Sequence, residues 1–325
     1  MHIAQIGTGR VGRPTAYTLL CSKLADKITV CDIKPGLATA FAEELKHVAA
    51  SLRLDVEITA CEEDEQVSDA DVVVVSVGKP RTPGVKMTRS DLAVQNGAII
   101  KHVAESIVPN NPTAKHVVIT NPVDAMAMVY KKYSQAKFVI STGTNLETLR
   151  FKARLASALN VPVSVLNGYV GGEHGTNAII LWSTVKVDGT PLNNYLRKNN
   201  KHVIKQEIDS YVKSVSKTIV DNIGGTEFGP AAAFRDIIRA IVLNTNEFFP
   251  FAAPMSFDEL SEPVFVSVPR CLGDSIGILF SRIHTFIQLY FSLILFAAVQ
   301  LFLILIFLII VFLVMTRTCL LSVFV

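Results

Sequence analysis

The stretch GGEHG, residues 171–175, sets one histidine, His174, among glycines, where the backbone can hold an imidazole ring open to a ligand. An imidazole moves a proton near neutral pH, so His174 is the candidate general acid and base. Three arginines are spaced to hold a small dicarboxylate, because a planar guanidinium can donate two parallel hydrogen bonds to each carboxylate. Two of them, Arg81 and Arg89, lie in GKPRTPGVKMTRSDL, residues 78–92, a glycine- and proline-marked segment that follows a buried apolar run. A loop at the carboxyl end of a parallel strand is where ligands bind in open α/β sheets.

A second constellation stands at the N-terminus. Gly7, Gly9 and Gly12 form GTGRVG directly after an apolar run and at the start of a helical pattern. Glycine there lets the backbone approach a diphosphate, which the helix N-terminus attracts. Asp32, 20 residues beyond Gly12, ends the next apolar run, where its carboxylate can accept hydrogen bonds from ribose hydroxyls. The same charge repels a 2′-phosphate, so NAD is expected over NADP, with Lys34 read as a solvated lysine. A dinucleotide fingerprint with a proton-transfer group and carboxylate clamps implies an oxidoreductase.

These residues need a scaffold, and the hydrophobic periodicity describes one. Residues 3–6, 28–30, 72–77, 117–120 and 138–141 read as buried strands, with helical periods between them. Such alternation specifies a Rossmann-type, doubly wound parallel sheet with right-handed crossovers over residues 1–143. A mixed α+β domain follows over residues 144–273, with helices at 145–159, 201–223 and 230–248 and a hairpin turn at Asp188-Gly189. No internal repeat is visible.

The 325 residues suffice for two domains, and a net charge of +3 carries no signal for nucleic acid. The five cysteines show no metal-type spacing and no paired framework, so no metal site and a reducing compartment are expected. The N-terminus has no basic region followed by an apolar core, so a signal peptide is not expected and the body is read as cytoplasmic.

The ordered set GxGxxG, Asp32, PRTPGVKMTRSDL, TNPVD (residues 120–124), NLETLR (145–150) and GGEHG closely resembles the lactate/malate dehydrogenase family, and most of all its archaeal malate dehydrogenases. The resemblance covers residues 1–273. It implies hydride transfer between NAD and a 2-hydroxy acid, with His174 exchanging the hydroxyl proton. It further implies that Arg150 clamps the C1 carboxylate, Arg89 polarises the reacting carbonyl from a mobile loop, Asn121 lies beside nicotinamide and substrate, and Thr226 lines the pocket wall. Arg81 implies malate, since lactate dehydrogenases carry a neutral residue at this position, and an unpaired arginine facing a methyl group would be costly. Lactate or another 2-hydroxy acid is the alternative substrate, and a homo-oligomer, dimer or tetramer, is the implied assembly.

Two departures stand out. The family carries aspartate where this chain has Glu147, the partner of the catalytic histidine; the extra methylene displaces the carboxylate by roughly one ångström, enough to matter in a catalytic constellation. The second departure is the tail, residues 274–325, which replaces a charged amphipathic helix with uncharged Phe, Leu and Ile. Residues 286–315 would form a helix of about 45 Å, longer than a hydrocarbon core of about 30 Å. The tail is read as a shifted reading frame in preference to a membrane span. A catalytically weak, membrane-associated dinucleotide-binding protein is the competing function.

Overall fold

Four valines in a row, Val72–Val75, can be tolerated only in a strand covered on both faces, and that is where they lie. The computed structural model describes residues 1–79, 89–258 and 260–279. Its first half runs β1 (His2–Ile6), α1 (Gly12–Cys21), β2 (Lys27–Cys31), α2 (Leu37–Leu52), β3 (Glu57–Cys61), β4 (Val72–Val75), α3 (Arg89–Ile107), β5 (Lys115–Val118), α4 (Val123–Ser134) and β6 (Phe138–Ser141). The strands pair in parallel in the order β3-β2-β1-β4-β5-β6. Strand alternation sends Val72 and Val74 into one core and Val73 and Val75 into the other, each at most 1% exposed. Each such side chain contributes about 2 kcal/mol of transfer free energy. The order reverses between β1 and β4. There the carboxyl ends of the strands open a crevice for a ligand.

The second half runs α5 (Asn145–Leu159), β7 (Leu166–Asn167), β8 (Val170–Gly172), β9 (Ala178–Ile180), β10 (Lys186–Val187), β11 (Thr190–Pro191), α6 (Leu192–Lys198), α7 (Lys205–Ile223), α8 (Phe228–Val242), β12 (Glu247–Met255), β13 (Val264–Leu272) and β14 (Ile276–Leu279). The turn expected at Asp188-Gly189 joins β10 to β11, with both residues left-handed at φ 48° and 72°. The helix expected over residues 230–248 ends at Val242 instead. Left-handed Asn244 and Asn246 turn the chain into β12, which with β13 forms an antiparallel hairpin in register from Glu247↔Leu272 to Met255↔Val264.

That hairpin joins the two halves. β12 pairs with β6 at Ala252↔Ser141, β13 pairs with β8 at Ser267↔Gly172, and β8 pairs with β9, so the mixed half continues the parallel sheet. Residues 1–278 form one compact unit. β14 pairs with β13, so ordered pairing extends past Gly273. The apolar run 286–315, with the membrane-span and shifted-frame readings attached to it, lies outside the described residues. Among the described residues no helix is long and apolar enough to cross a membrane.

One core group carries a pH signature. His116, fully buried on β5, shares a hydrogen bond between its Nδ1 and the Tyr130 hydroxyl at 2.9 Å, and burial pushes the imidazole down from 6.5 to about 4. The folded state therefore refuses a proton that the unfolded chain accepts. Stability should be full above pH 6.5 and fall by about 3 kcal/mol as pH drops from 6.5 to 4. Melting temperatures across that window should show the fall, and His116→Asn should flatten it relative to the unsubstituted chain.

Candidate active site

The glycine turn after β1 divides its three glycines by task. Gly7 has φ +87°, and a Cβ on it would lie 2.9 Å from the Val77 backbone nitrogen; a Cβ on Gly12 would lie 2.0 Å from the Gly7 carbonyl oxygen. Packing of the turn against β4 and its own helix demands both. A Cβ on Gly9 would meet nothing within 4 Å. The space in front of Gly9 opens at the start of α1, whose first turn has no side-chain cap. Glycine backbone at a helix N-terminus with an open approach suits a diphosphate.

Asp32 follows β2 at the edge of this space. Its Oδ2 accepts the Thr8 N–H at 2.8 Å and the Thr8 hydroxyl at 3.0 Å, while Oδ1 accepts the Lys34 N–H at 3.0 Å. A carboxylate has about four acceptor positions and three are taken, so Oδ1 can still receive one ribose hydroxyl. The carboxylate thus also braces the glycine turn, a contact that nothing in its spacing announced. Lys34 is exposed and touches Asp32 through its backbone N–H.

Across the crevice, α5 begins at Asn145 and buries Glu147 in its first turn, at 1% exposure. Glu147 Oε2 meets His174 Nδ1 at 3.1 Å, so the longer side chain reaches the ring. Its other oxygen, Oε1, lies 3.7 Å from Arg150 Nη1, one helical turn further on. Burial pushes the Glu147 carboxyl up, but His174 and Arg150 outweigh it and hold it below the usual carboxylate range. Burial likewise opposes the His174 imidazolium, and the charges of Glu147 and then Asp124 overcome it, raising the ring above its ordinary value. Arg150 is lowered by burial despite Glu147. A guanidinium so incompletely compensated favours an added anion.

Asn121 is exposed at the end of β5, and its carbonyl oxygen accepts a hydrogen bond from Asn96 Nδ2 at 2.8 Å. Asn96, 2% exposed on α3, also accepts the Lys79 N–H at 2.8 Å. It clasps the root of the arginine loop to the Asn121 loop. Thr226 is half-buried between α7 and α8, next to Glu227, whose carboxylate accepts a hydrogen bond from Arg10 of the glycine turn at 2.6 Å. Arg10 thereby draws the Thr226 segment to the cofactor crevice. Asn96, Arg10 and Glu227 carry no motif, and only their contacts identify them. Arg81 lies outside the described residues, as does the side chain of Arg89, whose backbone opens α3.

A doubly wound sheet with an open glycine turn, a carboxylate beside it and a histidine–carboxylate pair across the crevice fits an NAD-dependent 2-hydroxy-acid oxidoreductase. The NAD binding domain of the lactate/malate dehydrogenases matches residues 1–138 and their alpha/beta C-terminal domain matches residues 144–283. The chain belongs to the lactate/malate dehydrogenase family. It is 42% identical over 275 residues to a malate dehydrogenase of Sulfurisphaera tokodaii, covering 85% of this chain and 86% of that one. It is 32% identical over 276 residues to an L-lactate dehydrogenase of Thermoanaerobacter pseudethanolicus, covering 83% and 88%. Among solved structures it resembles a Plasmodium falciparum malate dehydrogenase in complex with NADH, at 26% identity and a TM-score of 0.77, covering 86% and 90%.

The glycine geometry makes a paired prediction. Gly9→Ala should leave the melting temperature unchanged and weaken NADH binding about tenfold, roughly 1.4 kcal/mol. Gly12→Ala should lower both, because its Cβ collides with the Gly7 carbonyl. Calorimetric titration with NADH and thermal melts of the two variants check it; equal melting losses would refute the division of tasks.

Proposed function

We propose that the protein catalyses reversible hydride transfer between malate and NAD, forming oxaloacetate. The observation that carries this reading is the triad of buried Glu147 with the half-buried His174 and Arg150, a proton acceptor and an anion clamp sharing one carboxylate. NAD, held at the Gly9 cradle and Asp32, supplies the hydride acceptor. In the oxidative direction neutral His174 takes the hydroxyl proton of malate, and Glu147 stabilises the imidazolium that forms. Arg150 holds the C1 carboxylate, and the family resemblance assigns Asn121 to the neighbourhood of nicotinamide and substrate and Thr226 to the pocket wall. In reduction protonated His174 donates, and its raised proton affinity favours that form.

The choice of malate rests on Arg81 and on the archaeal relatives. Arg81 receives the second carboxylate, and Arg89 stabilises charge developing on the carbonyl oxygen. Oxaloacetate should be reduced with far higher kcat/KM than pyruvate, and Arg81→Gln should narrow or reverse the ratio by about 2 to 4 kcal/mol in transition-state binding. A preference for pyruvate in the unsubstituted chain would move the assignment to lactate.

Glu147 makes the second test. Glu147→Gln removes the charge facing the imidazolium and should lower kcat by about two to four orders of magnitude while leaving NADH affinity intact. Glu147→Asp, which restores the shorter carboxylate, should hold or raise kcat. Steady-state rates beside NADH titrations separate the two effects, and unchanged kcat in both variants would remove Glu147 from the catalytic pair.

A further inference from the structure

His174 sits on a turn framed by left-handed glycines, Gly172 at φ +94° and Gly175 at φ +109°. Backbone of that kind has wide conformational freedom, so the ring's position must be imposed from outside the turn. Glu147 supplies one restraint, at the ring. A second comes from another loop, where the His174 backbone N–H donates to Asp124 Oδ2 at 3.0 Å.

Asp124 lies in the first turn of α4 and is 8% exposed. Its other oxygen, Oδ1, accepts the Ser141 hydroxyl at 2.7 Å, and Ser141 Oγ accepts the Gly143 N–H at 3.2 Å. Ser141 is fully buried at the end of β6. One carboxylate therefore ties together three loops: the loop of Asn121, the loop leading into Glu147, and the turn of His174. We propose that Asp124 is a positioning residue for His174, holding the histidine's backbone while Glu147 holds its ring.

The choice of aspartate over asparagine is informative. An asparagine here could accept the His174 N–H and donate to Ser141 Oγ, so geometry alone does not require a charge. Burial pushes the Asp124 carboxyl up, and the hydrogen bonds from the Ser141 hydroxyl and the His174 backbone N–H offset that only in part. What the charge adds is a second anion beside the imidazole. The charged groups that act on His174 are Glu147 and Arg150 from α5 and Asp124 from α4, beside the adjacent Glu173, and Arg150 joins burial in opposing the imidazolium.

The proposal rests on the reading of His174 as the proton-transfer group, and the test separates the two. The full chain and its Asp124→Asn variant are labelled at histidine, and the His174 ring is titrated by NMR without substrate; kcat/KM for oxaloacetate against pH and NADH affinity are measured in parallel. Asp124→Asn should shift the His174 titration to lower pH, move the corresponding limb of kcat/KM the same way, lower kcat about tenfold and leave NADH binding unchanged. An unmoved titration with unchanged kcat overturns the proposal, whereas a moved titration with an unmoved pH limb overturns instead the reading of His174 as the proton-transfer group. Because the titration needs no turnover, its shift stands even if another 2-hydroxy acid proves to be the substrate. Should Asp124→Asn fail to fold, Ser141→Ala is measured the same way: a several-fold loss of kcat with intact NADH binding supports the proposal, and unchanged kcat overturns it.

Discussion

Everything at the catalytic end of the molecule depends on the pairing of β12 with β6. Without it the parallel sheet would end at β6, and the strand leading to His174 would have no fixed relation to the helix that carries Glu147. The close approach is visible at Gly143, φ +50°, where a Cβ would lie 2.2 Å from Ser267 Oγ and 2.8 Å from the Ala252 nitrogen. Only glycine fits. Thr144 adds its own bonds to both neighbours, its N–H to the Pro250 carbonyl and its hydroxyl to the Val170 carbonyl. β6, β12 and β8 are thus locked together at the residues immediately before α5.

With the scaffold fixed, electrostatics follow from burial. Glu147 at 1% exposure and Arg150 largely covered interact in a medium far less polarisable than water, so charges a few ångströms apart matter more than on the surface. The arrangement is incomplete by design of its charges: two carboxylates flank one imidazole, and one guanidinium is left under-neutralised. A buried group of this kind is poor evidence for stability, since removing one partner strands the others. Its worth lies in defining where a proton and a carboxylate go.

The cofactor end obeys a different logic. Gly7 and Gly12 are glycines because the protein's own backbone leaves no room, whereas Gly9 is glycine although the protein leaves ample room. Asp32 serves the same turn twice, bracing Thr8 and presenting a carboxylate to the crevice. The Arg10–Glu227 pair, half-exposed and worth little in isolation, matters for where it brings the chain rather than for its energy.

Much of this was legible in the amino-acid order, because motifs whose chemistry depends on backbone geometry must keep their spacing. The glycine turn, Asp32, the helix at residues 145–159 and the hairpin at Asp188-Gly189 are local, and local periodicity describes them. The edge strand β3 was missed, since with one buried residue it lacks a strong apolar signal. The β12–β13 hairpin was missed because its apolar residues run on both faces, interrupted by Pro250, Pro254 and Pro269, and mimic no simple period. By itself, then, the sequence determined the residue types able to bind a dinucleotide, move a proton and hold carboxylates. Only the tertiary structure decided that Glu147 spans the extra methylene to reach His174, that its second oxygen faces Arg150, and that Asp124 anchors the histidine's backbone. Those contacts join positions 27 and 50 residues apart, and no local pattern encodes a distance that the β6–β12 pairing sets.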